Sequence, residues 1–321
     1  MGLTAQIEVF PLAQVFAISR GARTEAKVVR VILSDGETKA QGECVPYARY
    51  DETCESVVAQ LEALKDPFDH SGLPDVLAPG AARNALDCAL WDLAAKKAGR
   101  RVWELLDLNA PKPEITAYTL SLDTAEKMEA EASKHGHRPL LKTKLGGTGD
   151  IARIEAVRRG APNSRIIVDA NEGWNAESYQ ELAPELVRLG VEMVEQPLPA
   201  GDDDALLELE RVLPVCADES CHDRGSLSKL SGKYDMINIK LDKTGGLTEA
   251  LALRNAGQQL NFEIMVGCMV GSSLGMAPAT LVAQGAAVTD LDGPLLMAKD
   301  RENGLTYDAD GVHPPKAALW G

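Results

Sequence analysis

Polar and apolar residues alternate from the first positions of the chain. Ile7 to Ser19, Lys27 to Ser34 and Lys39 to Pro46 read as extended segments separated by Gly-containing turns, the pattern of a small antiparallel sheet. The period then changes from two to that of a helix. Over residues 81–98, Ala82, Ala85, Leu86, Ala89, Leu90, Leu93 and Ala94 share one stripe that Gly99 ends, with Asp87 and Asp92 directed elsewhere. These elements predict an α+β module over residues 1–112. Pro111-Lys112-Pro113 reads as its joint to the remainder of the chain, because proline lacks a donor and forces its predecessor out of helical geometry.

Beyond the joint, short apolar runs alternate with helical ones. Ile115 to Leu120, Leu140 to Lys144, Ile166 to Asp169, Met193 to Glu195, Val215 to Asp218, Met236 to Lys240, Glu263 to Gly267 and a segment ending near Asp292 supply eight candidate strands. Helical stretches such as 123–135 and 176–189 separate them, which is the βα alternation of a parallel barrel over residues 113–299. The last twenty residues, with Pro314 and Pro315, fit no further βα unit and are expected to pack back on the N-terminal module, completing it with about 300–321.

The ends of these strands carry the chemistry. Lys144, Asp169, Glu195, Asp218, Lys240, Gly267 and Asp292 lie 25, 26, 23, 22, 27 and 25 residues apart, one strand plus one helix each time. Groups at the C-terminal ends of successive strands meet at one face of a parallel barrel, where active sites of that architecture are built. The length of 321 residues accommodates a barrel of typically ~250 plus a smaller module.

Composition narrows the partners. Hydrophobic residues make up 45% and aromatics only 4%, so the interior is aliphatic and the chain globular. A formal net charge of -15 argues against nucleic acid and anionic membranes, both of which are bound through Lys and Arg. An anionic substrate would need local positive groups or a metal to draw it against that field. The N-terminus lacks the charged start and apolar core of a signal peptide, and no run approaches the ~20 apolar residues of a membrane span. The six cysteines are scattered without metal or disulfide spacing, so a reducing cytoplasmic setting is expected. Association with further copies of the chain is left open.

Three carboxylates, Asp169, Glu195 and Asp218, each end a short apolar segment and would repel strongly in one barrel mouth unless a cation lay between them. An all-oxygen set suits a hard ion such as Mg²⁺. Lys142 and Lys144 stand at i and i+2, so both face the same way, and a closed barrel has no edge on which to leave them solvated. Lys240 lies four strands further round, on the opposite wall. The pair His135 and His137 sits in a polar stretch before the second barrel strand, with too few converging ligands for a metal site.

Lys142-Thr143-Lys144, Val168-Asp169-Ala170-Asn171, Glu195-Gln196-Pro197, Ala217-Asp218-Glu219-Ser220 and the run from Asn238 to Gly246 together resemble the enolase superfamily, above all its muconate-lactonizing-enzyme subgroup. The resemblance covers essentially the whole chain. It implies a (β/α)7β modified TIM barrel with an α+β capping domain. It further implies Mg²⁺ held by Asp169, Glu195 and Asp218, with Lys144 and Lys240 as base and acid on opposite faces of a substrate α-carbon and Lys142 donating to the enolate oxygen. A lysine serving as base must fall from near 10.4 to about 7 or 8, roughly 4 kcal/mol, and Lys142 with the metal is expected to supply that push.

Within the subgroup, Asp290-Leu291-Asp292-Gly293 resembles the Asp-x-Asp pair that holds the α-ammonium of a dipeptide, although its composition equally suits a plain turn. Arg23 matches the position that binds an acidic side chain in dipeptide epimerases, with Arg20 as the alternative. Thr119, Cys268 and Met269 would line the pocket; Cys268 is equally a small core hydrophobe. The resemblance thus implies epimerisation of dipeptides such as L-Ala-L-Glu in murein peptide recycling. N-succinylamino-acid racemase, cycloisomerase and o-succinylbenzoate synthase activities use the same lysine and metal groups. A metal-free lysine Schiff-base barrel and a non-catalytic metal-binding module are the readings outside that chemistry.

Overall fold

The computed structural model describes residues 1–65 and 69–321. Three antiparallel strands, β1 (Gly2–Ile18), β2 (Gly21–Asp35) and β3 (Thr38–Cys44), form the cap sheet in that order. Helices Cys54–Glu62 and Ala81–Ala98 pack on it, and Val29, Val31, Leu33, Leu61, Ala85 and Leu86 share their core. The long helix lies directly on β3 because Gly42 has no side chain; a Cβ there would stand 2.1 Å from the Ala85 carbonyl oxygen. Gly99 ends the helix in the left-handed conformation (φ 62°), as its place in the sequence predicts.

Eight parallel strands come next: β4 (Tyr118–Leu120), β5 (Leu140–Lys144), β6 (Arg165–Asp169), β7 (Val191–Glu195), β8 (Val215–Ala217), β9 (Met236–Ile239), β10 (Glu263–Gly267) and β11 (Val288–Asp290). The sheet closes where the first strand meets the last. Ala117 N donates to Thr289 O at 2.8 Å, and Leu291 N to Thr116 Oγ1 at 2.8 Å. The barrel's interior floor takes one side chain from each strand segment: Ala117, Leu140, Ile167, Met193, Cys216, Met236, Met265 and Val288, all buried. Helices Ala125–His135, Asp150–Gly160, Ala176–Arg188, Leu247–Gln259 and Ser273–Val282 cover the outside. Among the described residues, no helix is long and apolar enough to cross a membrane.

Three details depart from the sequence pattern. The β7–β8 connection holds a 3-10 turn, Asp204–Leu207, in place of an α-helix. His135 closes helix Ala125–His135 and stacks on Tyr118 at 3.9 Å, so it is not a loop residue. Asp87 and Asp92 are buried, because the cap helix is enclosed on more sides than its stripe suggests. Asp87 accepts from Thr248 N and Oγ1 of the barrel, and Asp92 from Gln41 N and Gly321 N.

The C-terminal segment supplies part of that enclosure. Trp320 Nε1 donates to Cys88 O at 2.9 Å, Gln41 Nε2 to Leu319 O at 2.7 Å, and Arg101 Nη2 to Pro315 O at 2.7 Å. Arg301 reaches from the same segment to Glu43 at 2.5 Å.

Candidate active site

A strand's period of two explains how the site is built. Two residues beyond each apolar floor residue, the inward positions become Thr119, Lys142, Asp169, Glu195, Asp218, Asn238, Gly267 and Asp290. The same alternation that packs the barrel below therefore fills its mouth with ionisable groups. Two further positions on come Lys144 on β5, Lys240 after β9, Met269 after β10 and Asp292 after β11.

Asp169, Glu195 and Asp218 converge: each offers an oxygen within 4.8 Å of the others, and all three are 2% exposed or less. Lys142 Nζ lies 2.5 Å from Glu195 Oε2, 3.2 Å from Asp169 Oδ2 and 2.8 Å from Asp290 Oδ2. Lys144 Nζ donates to Asp169 Oδ2 at 2.6 Å, and Lys240 Nζ to Asp218 Oδ2 at 2.7 Å. Glu195 Oε2, buried, pairs with the Lys142 ammonium but is out of line for a hydrogen bond. Three converging buried carboxylates, one with an oxygen free of hydrogen bonds, are a donor set that fits a hard divalent cation.

The charges hold one another. Burial, then the nearby Asp169, pushes the Glu195 carboxyl above its ordinary value. Burial would do the same to Asp169 and Asp218, but the ammonium groups of Lys144 and Lys142 keep the first below its usual range, and those of Lys240 and Lys243 the second. Lys240 stands between opposing influences. Burial does favour its neutral form, yet Asp218 and Glu195 outweigh burial and hold it well above its ordinary value. Lys142 is raised in the same way, by Asp290, Glu195 and Asp169 against its own desolvation.

On the far side of the mouth, Asp290 gives one oxygen to Lys142 and keeps Oδ1 buried without a partner. Asp292 Oδ2 accepts from Thr119 N at 2.6 Å, across the seam where the barrel closes. Burial and the neighbouring Asp290 push Asp292 upward. Cys268 and Met269 line the same cleft as Lys144, Lys240 and Arg23. Burial, then Asp290, raises the Cys268 thiol well above its ordinary value, which leaves little thiolate for nucleophilic chemistry.

The two cap arginines have different surroundings. Arg20 donates to Glu219 Oε1 at 2.6 Å and to Glu172 Oε2 at 3.0 Å. The Arg23 side chain makes no hydrogen bond or ion pair among the described residues; its guanidinium rests 5.9 Å from the centre of the Tyr47 ring.

Sequence reasoning missed the groups that hold the acids. Lys243, fully buried, donates to Asp218 Oδ1 at 2.7 Å and to Asn238 O at 3.1 Å. Asn238 Nδ2 donates to Glu195 Oε1 at 2.7 Å. Gln196 Oε1 accepts from Asp218 N at 2.9 Å and from Ser220 N at 3.1 Å, joining two acid-bearing loops. Asn238 carried a signal, since its place two residues beyond Met236 on β9 points it into the barrel.

Residues 4–107 match the N-terminal domain of mandelate racemase and muconate lactonizing enzyme, and residues 123–314 match the enolase C-terminal domain-like family. The chain belongs to the enolase superfamily. Two curated members of this superfamily span nearly its whole length. The N-acetyl-D-glutamate racemase of a Pseudoalteromonas species is 46% identical over 92% of this chain and 95% of its own. The L-Ala-D/L-Glu epimerase of Escherichia coli K12 is 44% identical over 95% of this chain and 97% of its own. Among solved members, one from Agrobacterium tumefaciens with homology to dipeptide epimerases, holding sodium and L-Ala-L-Glu, superposes with TM-score 0.98 at 50% identity, covering 99% of both chains. A dipeptide epimerase from Cytophaga hutchinsonii in complex with Mg and D-Ala-L-Val superposes with TM-score 0.90 at 27% identity, over 98% of this chain and 94% of its own.

Proposed function

We propose that this enolase-superfamily enzyme is an isomerase that epimerises dipeptides such as L-Ala-L-Glu and L-Ala-D-Glu at the C-terminal residue, in the recycling of murein peptides. The observation that carries the reading is a buried carboxylate triad flanked from opposite barrel walls by Lys144 and Lys240, with Arg23 unpaired at the mouth. Two bases on opposite faces are what inversion at one carbon requires: one takes the α-proton, and the other returns a proton to the opposite face.

Asp169, Glu195 and Asp218 would hold Mg²⁺, which would supply a Lewis acid for the substrate carboxylate. Lys142, fixed among Glu195, Asp169 and Asp290, directs its ammonium to where negative charge develops as the α-proton leaves. The open oxygen of Asp290, with Asp292 beside it, receives the ammonium of the first residue. Arg23 pairs with the acidic side chain of the second, for which bidentate guanidinium geometry is suited.

A second reading, racemisation of an N-acylated glutamate, is favoured by the pairing of Asp290 with Lys142, which already partly satisfies the acid that an ammonium would seek. The N-acetyl-D-glutamate racemase relative points the same way. Proton NMR in D₂O with Mg²⁺ separates the two. L-Ala-L-Glu should lose its glutamate α-proton signal as the L,D diastereomer grows, while N-acetyl- and N-succinyl-glutamate exchange slowly; the reverse order would establish the second reading. Lys144→Ala and Lys240→Ala should each abolish epimerisation, and near-normal turnover in either would remove the two-base assignment. Chelation should stop exchange, and added Mg²⁺ should restore it.

A further inference from the structure

The tip of the β1–β2 hairpin leans over the barrel mouth. Ile18 pairs with Gly21, so Ser19 and Arg20 form a two-residue turn, and Arg23 sits just behind it opposite Phe16. The ladder is irregular between Pro11 and Phe16, so the outer part of the hairpin, 16–23, is joined to the rest of the cap sheet through a break in register. Backbone pairing within the cap therefore does not by itself fix where Arg23 stands. Contacts with the barrel must do so.

Those contacts centre on Arg20. One arm of its guanidinium donates to Glu219 Oε1 at 2.6 Å, and the other to Asn171 O at 2.7 Å and Glu172 Oε2 at 3.0 Å. Glu219 directly follows Asp218, while Asn171 and Glu172 follow Asp169 by two and three residues. One cap side chain thus bridges two loops that carry members of the carboxylate triad. Its partners are not ordinary surface acids: the Glu219 side chain is 2% exposed and that of Glu172 9%. Asn171 and Glu172 have φ of 45° and 65°, a backbone region unfavourable to side-chain-bearing residues. The carbonyl that this turn presents is taken by both Ser19 Oγ, at 3.0 Å, and Arg20. Ala17 adds a backbone bond, accepting from Leu122 N at 3.0 Å, but Arg20 makes the charged contact at the tip.

We infer that Arg20 is a positioning residue that clamps the hairpin tip to the loops after β6 and β8, and that Arg23 selects acidic side chains only while this clamp holds. The inference rests on the dipeptide reading above. Arg20 lines the same cleft, but its guanidinium is committed to Glu219, Glu172 and the Asn171 carbonyl, so it sets the distance between the group that reads the side chain and the groups that move the proton. Selectivity and catalytic geometry are thereby fastened to one guanidinium.

The test compares kcat/KM for L-Ala-L-Glu with that for L-Ala-L-Met, a neutral near-isostere, in wild type, Arg20→Met, Arg23→Met and the double variant. Arg20→Met should lower the Glu/Met ratio at least tenfold, and should lower it no further in the Arg23→Met background. Arg20→Lys, which keeps charge but loses the fork, should recover part of the ratio. An unchanged ratio in Arg20→Met, or effects that multiply in the double variant, would overturn the clamp. If wild type shows no preference for Glu, the substrate reading fails instead, and hydrogen exchange of the amides of residues 16–23 decides the clamp separately. Faster exchange in Arg20→Met supports it, and wild-type rates overturn it. Should Arg20→Met not fold because Glu219 is left as an unpaired buried carboxylate, Arg20→Met/Glu219→Gln removes that charge and is read by the same two measurements.

Discussion

Gly267→Ala adds one methyl group to the barrel mouth, and its effect can be worked out from the position of a single neighbour. A Cβ at Gly267 would stand 2.6 Å from Asn238 Oδ1, 2.8 Å from Nδ2 and 3.1 Å from Cγ. These are contacts no side chain tolerates, so the amide must move. The amide is the donor that holds Glu195 Oε1 at 2.7 Å. Crowding a packed core costs about 1–3 kcal/mol, and losing a hydrogen bond to a buried charged group about 1.5–3 kcal/mol. A loss of about 2 kcal/mol from the triad's preorganisation corresponds to roughly 30-fold weaker cation binding, within the ~10–100-fold typical when the groups that orient metal ligands are removed. Calorimetric titration with Mg²⁺ or Mn²⁺ measures the affinity, and urea unfolding the stability. The reasoning makes a sharper demand on the double variant. Once Asn238 is alanine the clash is gone, so Gly267→Ala should then be nearly neutral for cation affinity. Equal losses in the wild-type and Asn238→Ala backgrounds would refute transmission through the amide.

Asp242, buried beneath the cap, should shape the stability profile with pH. Burial pushes its carboxyl from an ordinary 3.8 up to about 7, against bonds from Val45 N and Asn84 Nδ2. A folded value above the unfolded one means stability fully present below about pH 4 and lost as pH rises through about 7, by up to about 4 kcal/mol. Asp242→Asn should flatten that decline in urea midpoints measured from pH 4 to 8; a parallel decline in both proteins would exclude Asp242 as its source. Trp320→Ala should cost about 3–5 kcal/mol, since the ring is 1% exposed and donates to Cys88 O. A fall in unfolding free energy below about 1 kcal/mol would show that the tail is only loosely docked.

The barrel was legible in the chain because most of its strands are short apolar runs that end at or just before a polar group, and strands return at helix-plus-strand intervals. Lys142, Asp169 and Glu195 could be placed facing inward from sequence parity alone, since an apolar floor residue stands two positions before each. The features that could not be read depend on partners distant in sequence. Arg20 and Arg23 share one short segment, and they are told apart by Glu172 and Glu219, some 150 to 200 residues away. Asp87 and Asp92 look like the polar side of an amphipathic helix until Thr248 and Gly321 arrive to bury them. The 3-10 turn between β7 and β8 escaped because a polar, leucine-containing stretch fits either a helix or an irregular crossing. The balance at Lys240 could not be read from sequence for another reason: desolvation and attraction pull in opposite directions, and only distances to Asp218 and Glu195 weigh them.

The docking of Trp320 and Gly321 against the cap helix also sets an order of events on the ribosome. From Gly99 through Gly321 the chain adds 223 residues after Ala98, which take roughly 11–45 s to synthesise at ~5–20 residues per second. Throughout that interval Asp92 and the Cys88 carbonyl lack the partners that Trp320 and Gly321 bring. The cap helix is made before the barrel and receives these partners after it. Protein truncated after residue 300 should therefore leave helix 81–98 open to protease, whereas protein that includes residues 301–321 should protect it.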